Sequence, residues 1–402
     1  MTADGSGEVE NTGSYRICTS SETLFRVEPF LKNFGVTRVA RHTGLDNLGI
    51  PVWCAYAPNS KSIVVAQGKG VTDEDARASA VMEALERAVA GDPCIKIIED
   101  TANGLASSGR TVDPLPSLIA SKQQDLHPDE AIAWVAGRNL LDGREILVPL
   151  EAVLLDRTRQ DNRYWMSSDG LAAGNCDDEA ILHGLLERVE RDASVLWQIA
   201  PFTYRRSRCI DAALYGGEVM ADILARIETA GLALRLFDIT SDVGIPCFTA
   251  FLGPIGVLSD KAIRYVEVTN GSGAHPSVAV AALRAVTEAA QSRLTYISGA
   301  RDDVSAQIYR EPLPDDTRRL FACSPEAMLQ HDHSPPASLA SMIDNVLDRL
   351  REANIPSAIA VQLSNADWSF SVFKMLVPNL ENPAGNRARR FGPRAIARTL
   401  SA

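Results

Sequence analysis

Ser79–Arg87 reads SAVMEALER, and further along His183–Arg191 reads HGLLERVER. In both, apolar residues recur at helical spacing, so each is expected as a helix. Ser79, Glu83 and Glu86 stand at i, i+4 and i+7 and therefore share one helix face. His183, Glu187 and Glu190 repeat that spacing, and Glu179 extends the stripe two turns back. A third segment, RAVTEAAQSR, places Arg284, Glu288 and Gln291 at the same intervals. Arg87 and Arg191 each directly follow the second carboxylate. Alone, an E-x-x-E-R triplet is as readily a solvated face with local salt bridges. The flanks here, ASAVM, AILHGLL and VAVAALRAV, suggest instead helices buried on most sides.

Buried carboxylates are costly unless they are paired or bound to metal. Three helices supplying Glu83, Glu86, Glu187, Glu190 and Glu288 therefore require cations. Oxygen donors with few histidines point to a hard ion, Mg²⁺ above all. Mg²⁺ is commonly held by a few carboxylates together with substrate phosphates, whose charge Arg87, Arg191 and Arg284 suit. The three faces thus read as a nucleotide–magnesium site. The familiar phosphate loops are absent. GKGVT (68–72) lacks the spaced first glycine and the Lys-Ser/Thr pair of a P-loop. GSGAHP (271–276) has proline where a dinucleotide fingerprint needs its third glycine.

Around these segments, apolar runs of strand length alternate irregularly with helical patterns, which argues a mixed α/β (α+β) fold. Strands are expected at 62–68, 145–155, 232–239, 247–252, 264–269, 358–364 and 369–377, and helices at 73–90, 178–198, 217–230, 277–296 and 335–352. Caps are expected at Thr72-Asp73, Asp177-Asp178 and Ser334-Pro335-Pro336. With 402 residues and 46% hydrophobic content, the chain can bury a large core. A net charge of −11 argues against nucleic acid as the main partner. Seven scattered cysteines without a C-x-x-C favour reduced thiols in a cytoplasm. The polar start shows no signal peptide, and no apolar run approaches a membrane span. Residues 1–20 are expected to be disordered. Residues 387–402 form an arginine-rich tail, carrying Arg387, Arg389, Arg390, Arg394 and Arg398, that either stays solvated or folds back towards phosphates or an acidic partner.

The S-x-x-x-E-x-x-E-R of Ser79–Arg87, the E-x-x-E-R-D of Glu187–Asp192 and LRAVTEAAQSRL around Glu288 resemble the YcaO family. So do GVTRVARHTGLDNLGIPVW (35–53), QGKGVT (67–72), SSDGLAAGNCDDEAILHGLLE (167–187) and GAHPS…ISGARDD (273–303). The resemblance runs from about residue 21 to the C-terminus and implies a catalytic domain over 21–386. It implies an enzyme that uses ATP and Mg²⁺ to phosphorylate a peptide amide oxygen, after which a nucleophile displaces phosphate. A neighbouring Cys, Ser or Thr gives an azoline, external sulfide a thioamide, and an amine an amidine. By this resemblance Ser79, Asn175, Arg191 and Gln291 are nucleotide contacts and Arg38 is a phosphate contact. Glu83, Glu86, Glu179, Glu187, Glu190 and Glu288 are metal or phosphate-site ligands. Asp169 stands where the family's turn has Asn, and the P-x-P-x-P ending of azoline-forming members is missing. The missing ending and SGARDD are more similar to members that make thioamides with a TfuA-like partner, and a homodimer is also implied. A non-catalytic accessory role in ribosomal-protein modification is the alternative of a different class. His331-Asp332-His333 reads as a loop, His275 as a phosphate contact or a capping residue, and Cys176 as a buried thiol or a nucleophile whose pKa a helix N-terminus lowers. No residue is singled out as general base.

Overall fold

Local chemistry starts the long helices where the periodicity places them. Thr72 accepts from the Asp75 amide while the Asp75 carboxylate accepts from the Thr72 amide, a reciprocal capping box. The structure, a computed structural model, describes residues 16–260, 262–325 and 338–400. In chain order the first half runs α1 (Ser20–Leu31), β1 (Arg38–Arg41), β2 (Val52–Tyr56), β3 (Val65–Lys69), α2 (Asp73–Gly91), β4 (Ile97–Thr101), α3 (Ala102–Ser107), β5 (Ala131–Asn139), β6 (Glu145–Pro149), α4 (Leu150–Val153), β7 (Leu171–Gly174) and α5 (Asp177–Gln198). The second half runs α6 (Phe202–Ser207), β8 (Cys209–Ile210), α7 (Gly217–Thr229), β9 (Leu232–Asp238), β10 (Cys247–Pro254), β11 (Thr269–Ala274), α8 (Val278–Ser298), α9 (Asp315–Phe321), α10 (Leu339–Glu352), β12 (Ile359–Gln362), β13 (Ser371–Leu376) and α11 (Pro393–Leu400).

Among the described residues three antiparallel sheets result. One has the order β1-β2-β3, the second β11-β10-β9-β8, and the third β4-β5-β12-β13-β7 with β6 also paired to β5. Each of the three expected site helices rests chiefly on one sheet, α2 on the first, α8 on the second and α5 on β7 and β13 of the third, while α2 also meets β7 and α5 also meets β11. Ala80 and Ala84 of α2 pack on Ala55 and Ala66 of the first sheet, while its Val81, Leu85 and Val89 join Val135 and Leu171 of the third; Leu185, Leu186 and Val189 bury α5, and Ala281, Ala285 and Val286 bury α8. Close approach needs glycine. A Cβ on Gly68 would meet the Ala80 amide at 2.1 Å, and one on Gly273 the Ala281 carbonyl at 2.4 Å. That is the structural role of QGKG and GSGA.

The expected strand at 264–269 is overturned. Glu267 accepts from the Arg264 amide at 2.8 Å and Tyr265–Glu267 closes as a 3₁₀ turn, so strand pairing begins only at Thr269. The expected strand at 145–155 ends at Pro149, after which Leu150–Val153 is helical. The last long helix is capped by Ser338 and starts at Leu339, while the cap expected at Ser334-Pro335-Pro336 lies outside the described residues. His331–His333 lies outside the described residues. Of residues 1–20, residues 1–15 also lie outside them, while Thr19 caps α1.

The arginines beyond residue 386 make specific contacts. Arg394 forks onto Asp192 at 2.9 Å and pairs with Asp242 at 2.5 Å. Arg389 pairs with Asp125 at 2.7 Å, and Arg390 and Arg398 sit over Phe391 and Tyr204. Arg387 is buried.

Candidate active site

The polar faces of α2, α5 and α8 turn towards one another around a cavity of about 390 Å³. Helix α2 contributes Ser79, Glu83, Glu86 and Arg87, helix α5 contributes Glu179, His183, Glu187, Glu190 and Arg191, and helix α8 contributes Arg284, Glu288 and Gln291. Asn175, between β7 and α5, completes the wall. Of the residues assigned from the sequence to nucleotide, phosphate or metal, Arg38 alone lies elsewhere: it is exposed on β1 and does not line the cavity.

Cations and carboxylates interleave. Arg87 donates to Glu83 at 2.9 Å, and Arg191 reaches both Glu187 and Glu190 at 3.1 Å. Lys69, at the end of β3, donates to Glu288 at 2.5 Å. Burial raises Glu86 well above the ordinary carboxylate range, with Glu83 and Glu187 adding repulsion against the pull of Arg87. Burial likewise raises Glu187, and Glu190 reaches about 7, with Glu288 and Glu187 opposing Arg191. Glu288 runs the other way: burial would raise it, but Lys69 and Arg191 hold it low. The cavity wall thus sets six glutamates beside six basic side chains, Arg16, Lys69, Arg87, Arg191, Arg284 and Arg301, and burial still leaves Glu86, Glu187 and Glu190 raised.

Burial and Arg284 lower His183 well below the usual imidazole range, and Arg284 contacts its Nε2, so this histidine is a neutral acceptor. His275 is lowered to about 3 by burial and Arg284, and its Nδ1 accepts from the Ser277 amide at 2.9 Å at the start of α8. It also faces the cavity, so capping and lining coincide. Cys176 has no depressed pKa: burial raises it to about 11, with Glu179 and Asp178 adding to the rise, and it is a thiol at neutral pH.

Lys69, Gln67 and Arg301 also line the cavity and were missed as site residues. Lys69 and Gln67 sit inside the QGKGVT segment, so the signal was the strand end beside a glycine, not a helical repeat. Gln67 binds α8 twice, its carbonyl accepting from Gln291 and its side-chain oxygen from Thr295.

Residues 67–381 match the family described as YcaO cyclodehydratase, ATP- and Mg²⁺-binding. The chain belongs to the YcaO family. It is 38% identical to an uncharacterized protein in the tfuA 3' region of Rhizobium leguminosarum bv. trifolii, over 95% of this chain and 92% of that protein. It is 33% identical to an uncharacterized protein of Methanothermobacter thermautotrophicus, over 90% and 94%. Among solved structures, YcaO from Methanopyrus kandleri bound with AMPPCP and Mg²⁺ superposes with a TM-score of 0.72 at 23% identity, covering 93% of this chain and 94% of that one. A heterocyclase in complex with substrate and cofactor superposes with a TM-score of 0.76 at 20% identity, covering 99% of this chain and 57% of that one. YcaO proteins are ATP-dependent, Mg²⁺-binding, peptide-modifying enzymes.

The cavity suits those cofactors in donor chemistry. Its carboxylates are oxygen-only donors, and a divalent cation would offset the burial that raises Glu86, Glu187 and Glu190. The Asn175 side-chain oxygen is buried in its wall with no hydrogen-bond partner, while the Asn175 amide nitrogens donate to Glu179 at 2.8 and 3.0 Å. Among the described residues no three acidic, histidine or cysteine side chains already close around one point as a metal site. Arg87, Arg191 and Lys69 stand between the carboxylates instead. Among the described residues, too, no helix is long and apolar enough to cross a membrane.

Proposed function

We propose that this chain uses Mg·ATP to phosphorylate the backbone amide oxygen of a peptide or protein, and that sulfide then replaces that oxygen to give a thioamide. The observation that carries the reading is the single cavity into which α2, α5 and α8 bring six glutamates together with Arg87, Arg191 and Arg284. An amide oxygen is a poor leaving group until it becomes phosphate. Clustered positive charge on the transferring phosphoryl group is what makes that conversion accessible. In the first half-reaction the amide oxygen bonds to the γ-phosphorus, ADP leaves, and the amide nitrogen loses its proton. In the second, hydrosulfide adds at the carbon, phosphate leaves with the former amide oxygen, and the nitrogen regains a proton.

Glu83, Glu86, Glu179, Glu187, Glu190 and Glu288 are assigned to the magnesium ions. Arg87, Arg191 and Arg284 are assigned to phosphates, and Ser79, Asn175 and Gln291 to the nucleotide. Arg38, exposed outside the cavity, could reach phosphate only if a second subunit or a bound partner carries it there, so it has the weakest claim. Sulfur supply is assigned to a TfuA-like partner, in keeping with the relative found in a tfuA 3' region. The enzyme is proposed to be a cytoplasmic homodimer.

Azoline formation is the second reading, favoured by the family's description as cyclodehydratases. Mass spectrometry of a peptide substrate incubated with Mg·ATP, sulfide and the partner separates the two. Exchange of oxygen for sulfur supports thioamide formation, and loss of one water supports an azoline. ATP turnover that ignores the peptide under every condition would leave only an accessory role, the description carried by the Escherichia coli relative at 26% identity.

A further inference from the structure

A second, much smaller cavity of about 20 Å³, room for one water-sized particle, lies beside the loop Ser167–Gly170. The loop separates it from the large cavity: Ser168 lines the large one, whereas Ser167 and Asp169 line the small one. Three cations, Arg188, Lys374 and Arg387, line it against one carboxylate, Asp169. The exposures of the three cations are 3%, 4% and 6%.

Their hydrogen bonds go to neutral carbonyl oxygens and leave two N–H groups without a partner. Arg188 gives one Nη to the Glu381 carbonyl at 2.9 Å, and its other Nη is buried without a partner. Arg387 contacts the Pro383 carbonyl, and its Nε is likewise buried without a partner. Lys374 donates only to neutral oxygens, the Ser167 and Asp169 carbonyls at 2.6 and 2.8 Å. The Asp169 carboxylate is shared: it accepts from the Ser167 hydroxyl at 2.5 Å, lies 3.4 Å from Arg191 and also attracts Arg188. A water molecule could satisfy two orphaned N–H groups but brings no charge to a spot where burial disfavours all three cations, even though Glu187, Asp192 and Glu381, outside the cavity lining, act on them beside Asp169. A small anion answers both needs, and the volume excludes anything the size of phosphate.

We propose that this cavity is a binding site for one monovalent anion of halide size, held by Arg188, Lys374 and Arg387. Such an anion would sit behind Asp169, which faces Arg191 of the large site, so its occupancy would bias the orientation of Arg191. Chloride and hydrosulfide share the required charge and size; the hydrosulfide possibility rests on the thioamide reading, whereas the site itself does not.

Crystals of the full chain grown in sodium bromide test this directly. The expected result is an anomalous difference peak within hydrogen-bond reach of Arg188 Nη1 and Arg387 Nε. A solvent peak without anomalous signal there overturns the proposal and leaves a structural water. In solution, the wild-type melting temperature is expected to rise and saturate with bromide at ionic strength held constant by gluconate, a response lost in Arg387→Gln. A wild-type response equal in bromide and gluconate overturns the proposal even if the variant fails to fold. Sulfide that abolishes the bromide peak assigns the site to the sulfur nucleophile, and a persisting peak assigns it to halide. None of these readouts needs turnover, so failure here leaves the proposed reaction standing.

Discussion

Asn175 has a carboxamide oxygen that is buried in the cavity wall with nothing to accept from. A buried acceptor of this kind costs free energy until a ligand supplies its partner. Replacing it by leucine is expected to weaken Mg·ATP binding about tenfold, roughly 1.4 kcal/mol, in a calorimetric titration. An unchanged affinity would remove Asn175 from the nucleotide site. His275 supports a different expectation. Its folded pKa of about 3, lowered by burial and Arg284, lies below the ordinary value of 6.5. Above pH 6.5 both folded and unfolded chains carry it neutral, and between 6.5 and 3 only the unfolded chain takes the proton. Stability from this residue is therefore present above pH 6.5 and lost as pH falls through that window, by on the order of a few kcal/mol. His275→Gln should lose less stability than wild type between pH 6.5 and 4 in urea melts, and parallel curves would refute this.

Helix α2 illustrates what an element owes to one residue. Gly68 allows α2 to rest on β3, and a Cβ there would strike the backbone at Ala80. Gly68→Ala is expected to cost about 3 kcal/mol or more, far beyond a surface change, because backbone rather than a flexible side chain must move. A melting temperature within a degree or so of wild type would contradict it. At the other end of the chain, Arg394 of α11 is the charged partner of Asp192 on α5, which is fully buried. Arg394→Ala leaves that carboxylate buried with only the Glu381 amide donating to it. The expected loss is about 3–5 kcal/mol, read from the denaturant midpoint. A loss under about 1 kcal/mol, the range of surface ion pairs, would mean that the α11 contact is peripheral.

At the scale of the molecule, the large site is stapled together from helices on three separate sheets, so its ligand should stabilise all of them. ATP with Mg²⁺ at a hundredfold excess over Kd is expected to add about 2.7 kcal/mol to unfolding. The corresponding rise in melting temperature should need Mg²⁺ and vanish in the Glu83→Gln, Glu187→Gln double variant. A shift that persists in that variant would place the metal elsewhere. The residue types and their helix faces were legible in the sequence because 3.6-residue periodicity and capping are local: Ser79, Glu83 and Glu86 share a face however α2 is packed. So was the family, through motifs spread along the chain. Lys69 was not legible as a site residue, since its partner Glu288 lies 219 positions away. Nor was the docking of Arg394 on Asp192, 202 positions apart, or the placement of Arg38 outside the cavity. The sequence by itself determined that the three site helices would form and which polar stripe each would carry. Only the tertiary structure decided that three such stripes meet, because sheet pairing and apolar burial act between segments whose separation along the chain carries no local signal.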